Sequence, residues 1–205
     1  MIKRVLFLAL IVGTATAPIT MFQRSENQSS ANASNGASDA SDVNKTGLKL
    51  PLVNPRIRVT KSKRQLALYS DEKVVRLYTV GLGFSPKADK ARQGDGCTPE
   101  GSFYVCVKNA QSSFYLSLGL SYPNKEHAQR GLRDRIITRA QYDEIMSALE
   151  RRARPPWNTP LGGEIFIHGN GSQSDWTWGC VALDNNDMKE LFDAIPKGTN
   201  VVIEP

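Results

Sequence analysis

The part of the chain after Pro55 alternates apolar and polar residues with a period of two, which is typical of β-strands with one buried face. Arg56–Lys61 alternates apolar and basic side chains, and Gln65–Ser70 and Val74–Gly81 favour strands as well. Asp71-Glu72-Lys73 is a turn-like connection between the last two segments. The three segments therefore predict a β-meander at the start of a domain.

Further strands are predicted downstream. The Gly-, Lys- and Asp-rich stretch Gly81–Gly96 predicts a long loop that lies over a cleft. Four later segments have the composition and length of strands: Ser102–Lys108, Phe114–Tyr122, Glu164–His168 and Asn200–Ile203.

Two segments change to the period of an amphipathic helix. Thr138 and Gln141 have the spacing of a capping box at the start of the first helix, and Pro155 ends it. Its apolar face consists of Tyr142, Ile145, Met146, Leu149 and Ala153.

The second helix is capped near Asp184 or Asn185 and stopped by Pro196. Its apolar face consists of Met188, Leu191, Phe192 and Ile195. Strands that come first, with helices inserted late, predict a fold that is mainly β or α+β, and periodicity alone does not separate these classes.

The first residues predict an export segment at positions 1–22. Lys3 and Arg4 precede the apolar run Val5–Val12, and small residues follow, which is the layout of a secretory signal. The alternative is an uncleaved membrane anchor, although Thr and Pro residues dilute its hydrophobic stretch. In both cases the remainder of the chain is exported to the periplasm or cell envelope, and the membrane is contacted only through this segment.

Positions 23–50 predict a disordered linker, because Ser, Asn, Ala, Gly and Asp dominate and cannot bury enough apolar surface to order the chain. Positions 51–205 then form the folded domain. The formal charge is +6, with 26 basic and 20 acidic residues, and basic residues cluster in Arg56–Arg64 and Arg130–Arg154. Export and the absence of any nucleic-acid motif argue against nucleic acid as a partner, and the second cluster is equally typical of a solvated helix face.

One histidine and one cysteine carry the candidate chemistry. His168 follows an apolar run and precedes Gly169, and Cys180 lies between Gly179 and a second apolar run, with eleven residues between the two side chains. A cysteine nucleophile reacts as the thiolate, and a neighbouring imidazolium lowers the thiol pKa. The pair therefore predicts Cys180 as nucleophile and His168 as base, with a buried, unreactive cysteine as the structural alternative.

His168-Gly169, followed by Thr177-Trp178-Gly179-Cys180-Val181, resembles the catalytic signature of the L,D-transpeptidase catalytic-domain family. The upstream Thr98-Pro99-Glu100-Gly101 turn resembles a second hallmark of that family. The resemblance covers most of the chain after position 55. It implies a mainly β, sandwich- or barrel-like domain with two or three peripheral helices and a cysteine acyltransferase that acts on peptidoglycan stem peptides.

The residues around the pair have candidate roles, of which the resemblance implies the first. The N–H groups of Gly179 and Cys180 would bind an oxyanion, Thr177 would orient the loop, and Gly169 would allow the backbone to approach closely. Trp176 and Trp178 would wall the substrate groove or pack the site loop.

The orienting partner of His168 stays open at this point. Asp175 is a candidate, but the family often uses a backbone carbonyl. His127 lies in a polar stretch and is expected at the surface. No cofactor is expected, and no metal site either, because the cysteines and histidines match no zinc spacing.

Departures from the family pattern point to a divergent branch. Only eight residues separate His168 from Thr177, Trp178 stands where many members have His, and Ala182 follows where many have Arg or Asn. Some members of such a branch hydrolyse wall linkages. An L,D-carboxypeptidase, an amidase that releases a wall-attached protein, and a non-catalytic wall-binding module are therefore the alternatives.

Three cysteines in an exported chain leave two when Cys180 is the free nucleophile. Cys97 and Cys106 are then a candidate disulfide. The alternative is a buried Cys106 and a partly exposed Cys97.

Overall fold

A computed structural model describes Asn44 and residues 47–205. The predicted export segment at 1–22 and nearly all of the predicted linker at 23–50 lie outside the described residues. Among the helices that are described, none is both long and apolar enough to cross a membrane.

Eight strands and three α-helices make up the described part of the chain. In chain order the strands are β1 Arg56–Thr60, β2 Gln65–Ser70, β3 Lys73–Thr79, β4 Gly101–Ser112, β5 Tyr115–Leu120, β6 Phe166–His168, β7 Val181–Ala182 and β8 Asn200–Glu204. The helices are α1 Lys125–Arg133, α2 Arg139–Glu150 and α3 Asn185–Ala194.

The strands form one curled sheet in the order β3-β2-β1-β8-β4-β5-β6-β7. The pairs β1·β8 and β6·β7 are parallel and the other neighbours are antiparallel. The β1–β3 meander is confirmed, and so is the expectation of a mainly β fold with two or three helices. The predicted strand Glu164–His168 is shorter in the structure, since only Phe166–His168 pairs.

Alternation along β5, β6 and β7 separates a core face from a second face. Leu118, Ile167 and Val181 have no more than traces of exposed surface and belong to the main hydrophobic core. Because successive side chains of a strand point to opposite faces, Ser117 and His168 lie on the other side of the sheet. The histidine therefore projects away from the core.

The capping box at α2 is confirmed, because Thr138 and Gln141 satisfy each other's backbone N–H groups. Helix α1 was not predicted. Its apolar face is narrow, and its start depends on Asn124, whose side chain accepts the N–H of His127. Together α1 and α2 close a second small core of Ala128, Ile137, Ile145 and Leu161.

The connection from β3 to β4 is the long loop that the sequence predicts, and we call residues 80–100 the wall loop. The buried ammonium of Lys61 donates to the carbonyls of Ala88 and Thr98 and to Glu100. Asp95 accepts the N–H groups of Ala91, Arg92 and Cys97 as well as Lys90 Nζ. These polar contacts fix a loop that has few apolar side chains to pack.

The expectation that His127 lies at the surface is wrong, since the residue is only 1% exposed. Its Nδ1 is 2.5 Å from Asn124 Oδ1 and its Nε2 is 3.1 Å from Asp89 Oδ1. Arg130 Nη2 donates to the other oxygen of Asp89, so this arginine is not part of a merely solvated face. Although burial raises the pKa of Asp89, the hydrogen bonds from His127 and from the Glu100 N–H outweigh it and lower the pKa to about 2.

The candidate disulfide between Cys97 and Cys106 is not formed in the described structure, where all three cysteines are free. Cys106 Sγ lies 3.4 Å from the Gly119 carbonyl, across the β4–β5 hairpin, and Cys97 Sγ lies 3.6 Å from the Asp95 carbonyl. The alternative of unpaired cysteines therefore holds, but with the exposures reversed, because Cys97 is buried and Cys106 is partly exposed.

Residues just before the predicted boundary at position 51 contact the folded domain. Leu48 and Leu52 pack against the main core. The side chain of Asn44 exchanges two hydrogen bonds with the backbone of Leu77, on the outer strand β3. The Asn44 side chain therefore pairs one C=O and one N–H group that an edge strand otherwise leaves without a partner.

Candidate active site

The parallel pair β6·β7 brings the predicted nucleophile and base to one face of the sheet. Ile167 is paired with Val181, and His168 with Ala182. Cys180 precedes β7 by one residue, so its side chain shares a face with Ala182 and therefore with His168. The two candidate catalytic side chains are diagonal neighbours.

The ring of His168 is held in one orientation. Its Nδ1 is 2.7 Å from the carbonyl oxygen of Gly169, which can only accept, so Nδ1 carries the proton and Nε2 is the free base of the neutral ring. The rings of Phe114 and Trp176 lie 4.8 Å and 5.6 Å from the imidazole. Burial lowers the pKa of His168, and the hydrogen bond to Gly169 only partly offsets this.

Gly169 provides this carbonyl from a crowded position. Its N–H donates to the carbonyls of Phe114 and Leu116, at 3.1 Å and 3.3 Å. A Cβ at this position would lie 2.5 Å from Asn185 Oδ1. Glycine therefore allows the chain to pass between the β4–β5 turn and the start of α3.

The thiol of Cys180 contacts the beginning of β6. Its Sγ accepts the N–H of Phe166 at 3.4 Å and donates to the carbonyl of Glu164 at 3.5 Å. Burial raises the pKa of the thiol to about 11, against smaller effects of the Phe166 N–H and the Lys90 ammonium. In this structure the thiol contacts only backbone groups at the start of β6 and no imidazolium, so the thiolate form of Cys180 stays a prediction.

Within the described part of the chain, no hydrogen bond joins Cys180 Sγ to His168. The thiol is directed toward Glu164, whose backbone has the unusual φ of 55°. Rotation of the cysteine side chain about its Cα–Cβ bond would redirect the sulfur along the same face toward the imidazole. Catalytic hydrogen bonds are often long or absent before a substrate binds.

Thr177 organises the turn before the cysteine. Its Oγ1 donates to the carbonyl of Cys180 at 2.8 Å and accepts the N–H of Gly179 at 3.1 Å. The Gly179 N–H is therefore bonded to Thr177 in this structure, and its role as an oxyanion donor stays a prediction. The N–H of Cys180 has no acceptor among the described residues and stays available.

Asp175 does not orient His168, although its position in the sequence made it a candidate. Its carboxylate accepts Nε and Nη2 of Arg64 and the backbone N–H of Leu82. Asp175 therefore ties the loop before Cys180 to the start of β2 and to the wall loop.

The wall loop is bonded directly to the cysteine turn. Thr177 N–H donates to the Leu82 carbonyl at 3.1 Å, and Phe84 N–H donates to the Thr177 carbonyl at 3.0 Å. The Cys97 carbonyl faces Gly179, where a Cβ would lie only 2.6 Å from its oxygen. The geometry of the turn thus depends on a segment more than 80 residues earlier in the sequence.

Aromatic side chains flank the pair on two sides. Trp178 is 67% exposed and makes an edge contact with Phe84, at a centroid distance of 4.7 Å. Trp176 is 37% exposed and packs against Phe114 as well as His168. The exposed Tyr115, the first residue of β5, follows Phe114 of the β4–β5 turn, so aromatic surface borders the site on both sides.

Sequence reasoning missed four participants: Arg64, Phe84, Phe114 and Glu164. Each acts through a long-range contact that no local motif encodes. The one available signal was the adjacent aromatic pair Phe114-Tyr115 at the start of a predicted strand. Within residues 47–205, no cluster of three or more acidic, cysteine or histidine side chains has the arrangement of a metal site.

The pH dependence of alkylation tests the charge state of the resting thiol. Because burial raises the Cys180 pKa to about 11, we expect iodoacetamide to react slowly at pH 7 and faster up to about pH 11. Peptide mapping by mass spectrometry after timed quenching follows Cys180 separately from Cys97 and Cys106.

His168→Ala serves as the comparison in that experiment. No charge on His168 acts on the thiol at rest, so the alkylation profile of this variant should match that of the unchanged protein. A half-maximal rate below pH 8 that disappears in His168→Ala would instead reveal a preformed ion pair.

Comparison with known proteins identifies the family to which this mainly β domain belongs. The YkuD family model, the L,D-transpeptidase catalytic domain, matches residues 54–203. The match covers most of the chain, so the protein belongs to the L,D-transpeptidase catalytic-domain family.

Individual relatives are distant. "Putative L,D-transpeptidase YqjB" of Bacillus subtilis (strain 168) is 26% identical over 155 residues, which are 73% of this chain and 71% of that protein. The helical cell shape determining protein Pgp2 (K307A mutant) of Campylobacter jejuni has a TM-score of 0.49 and 22% identity, and the similarity covers 73% of this chain and 46% of Pgp2. This chain therefore aligns with about half the length of Pgp2.

An L,D-transpeptidase (residues 123–326) from Xylanimonas cellulosilytica DSM 15894 is a further structural neighbour. It has a TM-score of 0.44 and 17% identity, over 81% of this chain and 68% of that one.

Proposed function

We propose that this domain is an exported cysteine acyltransferase that acts on peptidoglycan stem peptides, with Cys180 as nucleophile and His168 as base. The observation that carries the proposal is the placement of both side chains on one face of β6·β7, with the His168 ring fixed by the Gly169 carbonyl. Membership in the L,D-transpeptidase family supports the substrate class.

Acylation begins with proton transfer from the thiol to Nε2 of His168, as the sulfur attacks the carbonyl carbon of the donor peptide. In the L,D-transpeptidase reaction that carbonyl belongs to the L-centre of diaminopimelate and is bonded to a terminal D-residue. The carbonyl oxygen becomes an oxyanion, for which the N–H of Cys180 is the available backbone donor. The C–N bond then breaks, and His168 returns the proton to the leaving amine, so a thioester remains on Cys180.

The second half-reaction repeats these steps with an acceptor amine. His168 takes a proton from the amine as its nitrogen attacks the thioester, and the thiolate leaves and recovers that proton. Water in place of the amine gives hydrolysis with the same residues. The same pair therefore also serves an L,D-carboxypeptidase or an amidase that releases a wall-attached protein.

A proton-transfer mechanism fits the resting charges better than a preformed ion pair does. Burial raises the Cys180 pKa and lowers the His168 pKa, so ionisation is unfavourable before a substrate is present. A bound peptide can displace the thiol from the Glu164 carbonyl and bring it to the imidazole. The enzyme would then be reactive mainly toward correctly bound substrates.

Exposed aromatic side chains supply the binding surface that the reaction needs. We place the donor peptide between the Trp178–Phe84 pair and the Trp176–Phe114 pair, because these border Cys180 and His168. Flat aromatic faces contact peptide and sugar surfaces at low entropic cost. The protein would reach the envelope through the export segment at 1–22, and neither a cofactor nor nucleic acid enters the proposal.

The test is incubation of the soluble domain with purified peptidoglycan and with tetrapeptide muropeptides, alongside Cys180→Ala, with products read by mass spectrometry. Transfer predicts cross-linked dimers or exchange of the terminal D-residue, both dependent on Cys180. Cleavage without cross-links, when it depends on Cys180, would assign the domain as a hydrolase. Identical products from both proteins would leave a wall-binding module.

A further inference from the structure

The hydroxyl of Ser117 has no hydrogen-bond partner, although the residue is only 1% exposed. Its Oγ is one of the few buried side-chain polar atoms in residues 47–205 that remain unpaired. Leaving a buried hydroxyl unpaired costs free energy, so such an atom calls for a specific explanation.

Register places this hydroxyl beside the candidate base. Ser117 on β5 is directly opposite His168 on β6 in the antiparallel pair. Directly opposite residues share a face of the sheet, with Cβ atoms about 4.5–5.5 Å apart. Their neighbours Leu118 and Ile167 occupy the core face, so the hydroxyl and the imidazole lie together on the catalytic face.

Among residues 47–205, no acceptor for a second ring proton is hydrogen-bonded to His168 at rest. The Gly169 carbonyl is occupied by Nδ1–H, and Phe114 and Trp176 contribute only aromatic surface. Among described residues, no acidic or basic side chain shifts the His168 pKa, and Cys180 makes no hydrogen bond to the ring. A ring that has taken the thiol proton therefore has Nε2–H to satisfy. The hydroxyl of Ser117, on the directly opposite residue, has two unused lone pairs and makes no hydrogen bond to the ring at rest.

We propose that Ser117 is a positioning residue for His168, whose Oγ accepts a hydrogen bond from Nε2–H once the ring has taken the proton of Cys180. The S–H bond breaks, the Nε2–H bond forms, and Ser117 exchanges no proton. The hydrogen bond stabilises the buried imidazolium until the leaving amine takes the proton. This role rests on the proposed function only in naming Cys180 as the source of the proton.

The direct test is an NMR titration of the His168 ring in the Cys180→Ala background, which removes the thiol and all covalent chemistry. The chain has only two histidines, so assignment is simple. Ser117→Val and Ser117→Thr have nearly the same shape and differ by the hydroxyl. We expect Ser117→Val to lower the His168 pKa by about half a unit to one unit, as for loss of one hydrogen bond, and Ser117→Thr to leave it unchanged.

Thr159→Val is the matched control, because Thr159 Oγ1 is another buried hydroxyl without a partner and lies on the loop before β6. This variant should not shift the titration. Equal His168 titrations in Ser117→Val and Ser117→Thr would overturn the proposal.

Steady-state kinetics of the Ser117 variants, measured in the protein that retains Cys180, test the effect on turnover. Ser117→Val should lower kcat about five- to tenfold with little change in KM, as expected for a contact made after substrate binding. Ser117→Thr should restore kcat. The titration is independent of any substrate, so failure of the transfer assay would refute the proposed function without refuting the role of Ser117.

Discussion

Replacing His168 by alanine should lower the Cys180-dependent reaction rate by about 10²–10⁴-fold, the range for loss of a positioned general base. The loss should be this large because, among the described residues, no basic group that could replace His168 is hydrogen-bonded to Cys180. Burial raises the thiol pKa to about 11, and Glu164 offers only a carbonyl. Product formation from muropeptides, measured under single-turnover conditions between pH 6 and 10, gives the rate.

Chemical rescue distinguishes loss of the base from loss of structure. The space between Phe114 and Trp176 that His168→Ala vacates has the shape of an imidazole ring, so added imidazole should restore part of the activity. The thermal midpoint of the variant should stay close to that of the unchanged protein. A His168→Ala protein within threefold of full activity would refute the assignment of His168.

The meander, the late helices and the long loop follow from local patterns, and the structure contains them. Helix α1 does not follow from its polar sequence, since it depends on the Asn124 cap and on packing against α2. The burial of His127 depends on Asp89, 38 residues away, with which it makes a hydrogen bond that no periodicity reveals. The polar composition around His127 predicts a solvent-exposed residue, but its tertiary contact with Asp89 buries it.

The candidate pair itself was predictable, because the short motifs around His168 and Cys180 resemble a family signature. Their charge states were not. A sequence shows that an imidazole and a thiol are close, but the sign of the thiol pKa shift depends on burial and on which atoms the sulfur contacts. The sequence also could not show that Asp175 bonds to Arg64 rather than to His168, because Arg64 lies 111 residues away.

Replacing Gly179 by alanine should abolish most activity and also destabilise the domain. Gly179 has φ +126°, and a Cβ there would lie 2.6 Å from the Cys97 carbonyl oxygen and 3.2 Å from Ile165 Cδ1. The backbone strain alone is about 1–3 kcal/mol, which corresponds to a fall of several degrees in the thermal midpoint. Calorimetry and the muropeptide assay measure the two effects.

Gly198→Ala separates strain from chemistry. Gly198 also has a left-handed φ, +88°, but no atom lies within 4 Å of its would-be Cβ, and it precedes β8 rather than Cys180. We expect Gly198→Ala to lose stability and keep its activity per folded molecule. Gly179→Ala should lose activity even in its folded fraction, because relieving the clash with Cys97 moves the Cys180 N–H and the Thr177 hydroxyl together. Equal activity per folded molecule in both variants would mean that the Gly179 turn serves the fold alone, and the oxyanion donor would have to lie elsewhere.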